Sequence, residues 1–100
     1  MARVRITRLA SEDIESIQMH GLAEFGAKAT HAYMQGFDRI FVRLEGYPLS
    51  GVAVPDYGQA VRSCLHAPYR VLYRFESEVV SILRILHTAQ RVRQIDNTLP

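Results

Sequence analysis

The 100-residue sequence is short of the residues that would let it rely on covalent or metal cross-links. It has one cysteine, Cys64, so no internal disulfide can form and the chain suits a reducing cytoplasm. Its four histidines, His20, His31, His66 and His87, are scattered, and none stands with a cysteine or carboxylate at a metal-ligand spacing. Cys64 and His66 would share a strand face, but without a third group they read as an ordinary strand pair and not as nucleophile and base. There is no Gly-rich phosphate loop, so neither a metal nor a cofactor is expected. Long apolar runs are missing too: nothing approaches the ~20 residues of a membrane helix, and the N-terminus MARVRITRLASED is charged where a signal peptide would be apolar. The expectation is a cytoplasmic protein with no membrane contact. Lysine is almost absent as well, Lys28 standing alone among 12 Lys and Arg residues. The remaining cations are arginines, whose planar fork suits bidentate recognition of carboxylates and phosphates. The net charge of +2 and pI near 9.0 are too mild to point to nucleic acid by themselves.

What is present is a 48% hydrophobic composition, enough for one modest core, and a single domain over residues 1–100 with a frayed tail from about Asn97 to Pro100 is expected. The clearest pattern runs from Gln59 to His87. Tyr69, Val71, Tyr73 and Phe75 share one parity and Arg70, Leu72, Arg74 and Glu76 the other, the period of two of a half-buried strand. Val79–Leu86 is β-branched and aliphatic, and the polar Glu76-Ser77-Glu78 between the two runs fits an antiparallel hairpin. Register decides what the arginines do. An odd-numbered loop would oppose Phe75 to Val79 and Arg70 to Arg84, placing both arginines on one face; a two-residue loop would separate them. The odd loop is the favoured register; two opposed like charges need an anion between them, so that register predicts a binding site.

Before that stretch, RVRITR over Arg3–Arg8 alternates basic residues with Val4 and Ile6, a short edge strand with an arginine face. Ser11 followed by Glu12, Asp13 and Glu15 reads as a helix N-cap and an acidic first turn. Ile14, Ile17, Leu22 and Phe25 supply that helix with an apolar stripe, and Gly26 marks its end. A second helix follows over Ala27–Leu44, with Tyr33, Phe37 and Phe41 on its core face, and packs antiparallel to the first. The order strand, helical hairpin, three antiparallel strands is α+β, with the helices on one sheet face and arginines on the other.

Asp13-Ile14-x-x-Ile17, Phe25-Gly26-x-x-Ala29-x-x-x-Tyr33, Pro48-x-x-Gly51, Arg62-Ser63, Pro68-Tyr69-Arg70-Val71-Leu72-Tyr73-Arg74 and Leu83-Arg84-Ile85-Leu86-His87 together resemble the ParE branch of the RelE/ParE toxin superfamily. The resemblance implies a toxin of a type II toxin-antitoxin pair that acts on DNA gyrase. It also implies neutralisation by an acidic, ParD-like antitoxin in a hetero-oligomeric complex. Arg62, Arg70, Arg74 and Arg84 are then expected to bind the antitoxin, with no sequence-specific contact to nucleic acid.

The same superfamily contains ribosome-dependent messenger-RNA endonucleases of RelE type. Metal-free RNA cleavage needs groups that activate the 2′-hydroxyl, stabilise the phosphate and protonate the leaving oxygen. Aligned through Tyr69-Arg70, the two sheet lysines of the RelE pattern fall on Val61 and Ser63 and the later arginine near Ala89, so of that set only the arginine at Arg70 is kept. The main expectation is therefore a non-nucleolytic toxin. The alternative is an endoribonuclease rebuilt from Arg70, Arg84 and His87.

Overall fold

The computed structural model describes residues 1–90, so the expected fraying at Asn97–Pro100 lies outside the described residues. Strand β1 (Arg3–Ile6) leads through a single residue, Thr7, into a helical run α1 (Arg8–Gly46). Then come a two-residue strand β2 (Val52–Ala53), a short 3-10 turn (Pro55–Tyr57), and the long strands β3 (Val61–His66), β4 (Tyr69–Glu76) and β5 (Val79–His87). The sheet order is β1-β5-β4-β3-β2, with β1 parallel to β5 and the other neighbours antiparallel. This is the expected α+β arrangement, enlarged by the short β2 at the edge opposite β1.

A straight helix of 39 residues would be about 58 Å long, whereas the longest dimension of the whole molecule is 39 Å. The run is broken at Gly26, whose φ of 83° and ψ of 173° belong to a region open essentially to glycine alone. The two arms, 8–25 and 27–46, fold back on each other. A Cβ placed on Gly21 of the first arm would stand 2.8 Å from the Thr30 hydroxyl of the second, and the Ala2 amide donates to the Glu45 carbonyl at 2.9 Å. Gly26 as the stop and Tyr33, Phe37 and Phe41 on the core side agree with the sequence pattern.

Three expectations about the helices and the hairpin need correction. The N-cap is Thr7 and not Ser11. The Thr7 hydroxyl accepts from the Ala10 amide at 3.3 Å and donates to the Ile82 carbonyl at 2.7 Å, so one side chain caps the helix and ties it to β5. Of the expected stripe Ile17 is buried and Ile14 packs on the core, but Leu22 and Phe25 are exposed, and Ala10 and Gly21 are buried in their place. The β4–β5 loop has two residues, Ser77 and Glu78, both with positive φ (52° and 62°), the geometry of a tight hairpin whose twist matches its strands.

That loop opposes Glu76 to Val79, and continued without interruption it would set Arg84 opposite Val71, on the helix-covered face. A bulge intervenes: Tyr73 opposes Ile82 but Leu72 opposes Arg84, leaving Leu83 as the extra residue. Arg70 therefore opposes Leu86 and not Arg84. The bulge nevertheless brings Arg70, Leu72, Arg84 and Leu86 to one side of the sheet, because directly opposed residues share a face and alternate residues repeat it. The helix-covered side carries Cys64, Val71, Tyr73, Val80, Ile82 and Ile85, all buried against Ile17, Phe37, Ile40 and Leu44.

Candidate functional site

The side of the sheet that the helices leave uncovered is where the arginines gather, around Val61, Leu72 and Leu86, which are themselves buried. Arg3 and Arg5 reach it from β1, opposite Val79 and Ser81; Arg70 and Arg74 reach it from β4, and Arg84 from β5. Arg62 does not belong to it. It opposes Tyr73 on the helix-covered side, and its Nη1 donates to the carbonyls of Leu49 and Gly51 at 3.2 and 2.8 Å. Beside it the Tyr73 hydroxyl donates to the Pro48 carbonyl and accepts from the Gly51 amide. The expected antitoxin contact at Arg62 is thus a strut under the 48–51 loop.

The other three differ in how their charge is met. Arg84 is held by Asp13, 71 residues away, through Nε at 2.8 Å and Nη2 at 3.1 Å, with both side chains about four-fifths buried. The hydrogen bond to Asp13 pushes the guanidinium pKa up, outweighing the opposite effect of burial. Asp13 also accepts from the Ile85 amide at 2.9 Å. Arg74 lies 3.5 Å from Glu76 and donates to the Gln59 carbonyl. Arg70 has only neutral acceptors among the described residues: its Nη2 donates to the Tyr57 hydroxyl at 3.1 Å and to the Gln90 carbonyl at 3.4 Å. Its Nε is buried without a partner, and its guanidinium carbon stands 5.5 Å from the Tyr57 ring centre. The anion that the two arginines were expected to share from outside is, for Arg84, supplied from within the chain.

The set Arg70, Arg84 and His87 is not brought together. His87 opposes Tyr69, on the helix-covered side, with the two rings edge to face at 5.6 Å, and its Nδ1 accepts from the Ala89 amide. It lines a cavity of about 430 Å³ with Ile17, Phe25, Ala29, Tyr33 and Tyr69, whereas Arg70 projects from the opposite face and Arg84 is engaged by Asp13. Cys64 is buried in the core, and among the described residues no three His, Cys, Asp or Glu side chains could hold a metal ion.

The side chain of His66 shows why β3 sits where it does. It stacks on Tyr33 at 4.2 Å, meets Phe37 edge to face, and bonds the Tyr33 carbonyl at 2.9 Å. It packs directly on the bare backbone of Gly36, where a Cβ would stand 2.2 Å from the ring. The Tyr33 hydroxyl in turn donates to the His66 carbonyl at 2.8 Å, and burial together with the neighbouring Tyr69 pushes its pKa up from 10.0 to about 12. Asp13, Tyr57 and Leu65, which shape both ends of the arginine face, were not singled out as site residues by the sequence, although Asp13 belongs to the motifs that carry the resemblance. Asp13 looked like a helix-dipole carboxylate and Tyr57 like part of an irregular loop.

With this geometry in hand, comparison with known proteins is specific. Residues 4–92 match the family described as the ParE toxin of the type II toxin-antitoxin system parDE, and the chain belongs to that family. It is 34% identical over 86 residues to Toxin ParE3 of Caulobacter vibrioides, covering 86% of each chain. In structure it is similar to a chain of the chromosomal ParDE toxin-antitoxin system of P. aeruginosa, with a TM-score of 0.74 at 24% identity over 87% of this chain and 96% of that one. It is also similar to a chain of the RelBE2 toxin-antitoxin complex of Mycobacterium tuberculosis, with a TM-score of 0.56 at 28% identity over 86% and 96%.

Proposed function

We propose that this toxin acts in the cytoplasm on DNA gyrase without cutting RNA, and that an acidic, ParD-like antitoxin neutralises it in a hetero-oligomeric complex. The observation that carries the non-nucleolytic reading is the divergence of Arg70, Arg84 and His87: one lies on the uncovered face, one is paired with Asp13, and one lies across the sheet against Tyr69. Cleavage needs a base, a phosphate clamp and an acid around one phosphodiester, and these three groups cannot surround a common atom. Support for an antitoxin comes from the relatives, two of which were solved as toxin-antitoxin systems. The antitoxin is assigned to the uncovered face through Arg70 and Arg74, with Arg84 contributing only its already neutralised head and Arg62 none.

A supercoiling assay with purified toxin and gyrase tests the target. Loss of supercoiling as toxin is added, restored by an acidic, ParD-like antitoxin, is the expected result. Full gyrase activity in a large excess of toxin, combined with codon-positioned cleavage of message on ribosomes that Arg70→Ala abolishes, would replace this reading with the RelE-type alternative.

A further inference from the structure

We propose that Arg70, braced by Tyr57, is the seat for one carboxylate of an extended acidic segment of the partner, and that this segment runs beside Leu65 at the outer edge of β3. The inference rests on the antitoxin reading above and adds where, and by which chemistry, the toxin is held.

The first argument is a charge account. Of the three arginines that β4 and β5 place on the uncovered face, Arg84 has Asp13 and Arg74 has Glu76, whereas Arg70 has no carboxylate among the described residues. A half-buried guanidinium with an orphaned Nε is expensive to maintain, and a carboxylate meets its fork geometry better than any neutral oxygen. Tyr57 holds the fork in place in two ways, through its hydroxyl and through its ring.

The second argument identifies the occupant. Leu65 directly opposes Arg70 and is 67% exposed, so a large apolar side chain and an unmatched cation stand side by side. Beyond Leu65 no strand is present among the described residues, because β2 pairs only with Arg62 and Ser63. The main-chain groups of Val61 bond away from β4, to Val54 and Gly58. Alternate residues of an antiparallel strand repeat that direction, so the amide and carbonyl of Leu65 point at the vacant edge. An extended peptide satisfies all three demands with backbone bonds to Leu65, an apolar side chain on it and a carboxylate on Arg70.

The test is calorimetric titration of the full chain with a purified acidic, ParD-like antitoxin protein. Arg70→Ala is expected to weaken binding about 30-fold and Arg70→Lys about 10-fold, since lysine keeps the charge but not the fork. Tyr57→Phe is expected to weaken it about 3-fold, with thermal midpoints of all variants near the parent's. If Arg70→Ala folds poorly, Arg70→Lys and Tyr57→Phe carry the measurement. Unchanged affinity in variants that fold would overturn the seat while leaving the antitoxin reading intact. No binding by the parent chain would remove both. A short single-stranded RNA serves as the competing ligand: if Arg70→Ala weakens its binding and not that of the acidic protein, the guanidinium belongs to nucleic acid and the proposal is wrong.

Discussion

The two long edges of the sheet are built on opposite plans. At the β5 edge nearly every outward main-chain group is occupied. β1 pairs with residues 79–82, the Thr7 hydroxyl takes the Ile82 carbonyl, Asp13 takes the Ile85 amide, and the Gln90 side chain takes the His87 amide at 2.9 Å. At the β3 edge β2 stops after two residues and Leu65 is left open. The cations follow the same division, Arg84 being neutralised by Asp13 beside the closed edge and Arg70 lacking a carboxylate among the described residues beside the open one. A sheet edge with unpaired amides is a template for any other strand. β1, Thr7 and Asp13 keep an incoming strand off the flank of β5, whereas the end of β3 offers it a place, so the comparison teaches how specificity can arise from what is blocked.

The largest effect is expected at the closed edge. Asp13→Ala strands a mostly buried guanidinium and frees the Ile85 amide, and should cost about 3 kcal/mol in urea denaturation; a loss under about 1 kcal/mol would show that the Arg84 pair is not what closes that edge. Next is Gly36→Ala, whose Cβ collides with the His66 ring that anchors β3. An expected loss of about 2 kcal/mol, accompanied by changed near-ultraviolet signals from Tyr33 and Tyr69, would place the support of the open edge in this aromatic stack. An effect near zero would mean that β3 is held by its ladder to β4 alone.

Alkaline titration probes the same support more gently. A tyrosine whose folded pKa is raised from 10.0 to about 12 keeps its proton in the folded state while the unfolded chain loses it. Its contribution to stability is therefore complete below pH 10 and is lost as pH rises towards 12. Tyr33→Phe should melt with a shallower decline over that window than the parent, Tyr73 accounting for the part that remains. The smallest effect is expected from Arg70→Ala, which should shift stability by about 0.5 kcal/mol or less. A loss comparable to that of Asp13→Ala would erase the distinction between a structural arginine and one kept for a partner.

Much of this was legible in the sequence, and the illegible parts share a cause. The alternation from Tyr69 to Glu76, the β-branched run from Val79 and the stop at Gly26 are local signals, and the chain obeys them. Asp13 and Arg84 are 71 residues apart, and nothing near either announces the other. Ser11 with its acidic neighbours imitated a helix start, but Thr7 lies closer to β5 and could satisfy the helix and the Ile82 carbonyl together. Leu22 and Phe25 kept the helical period yet are exposed near the Gly26 break. The odd hairpin loop was the simplest way to bring Arg70 and Arg84 to one face. The protein uses a two-residue loop and an inserted residue instead, a combination that parity alone cannot distinguish.

That inserted residue, Leu83, works as a phase corrector. The Ser77-Glu78 turn dictates one alternation of inside and outside along β5, and the chain from Arg84 onward requires the other. Because the two are joined through a single out-of-step residue, turn and strand end are decoupled. Deleting Leu83 would leave the hairpin closed and every local preference intact, yet would turn Arg84 and Leu86 to the helix-covered side and Ile85 and His87 to the arginine side. Which residues share a face with Arg70 therefore depends on one count of residues, set within β5 and not at the turn.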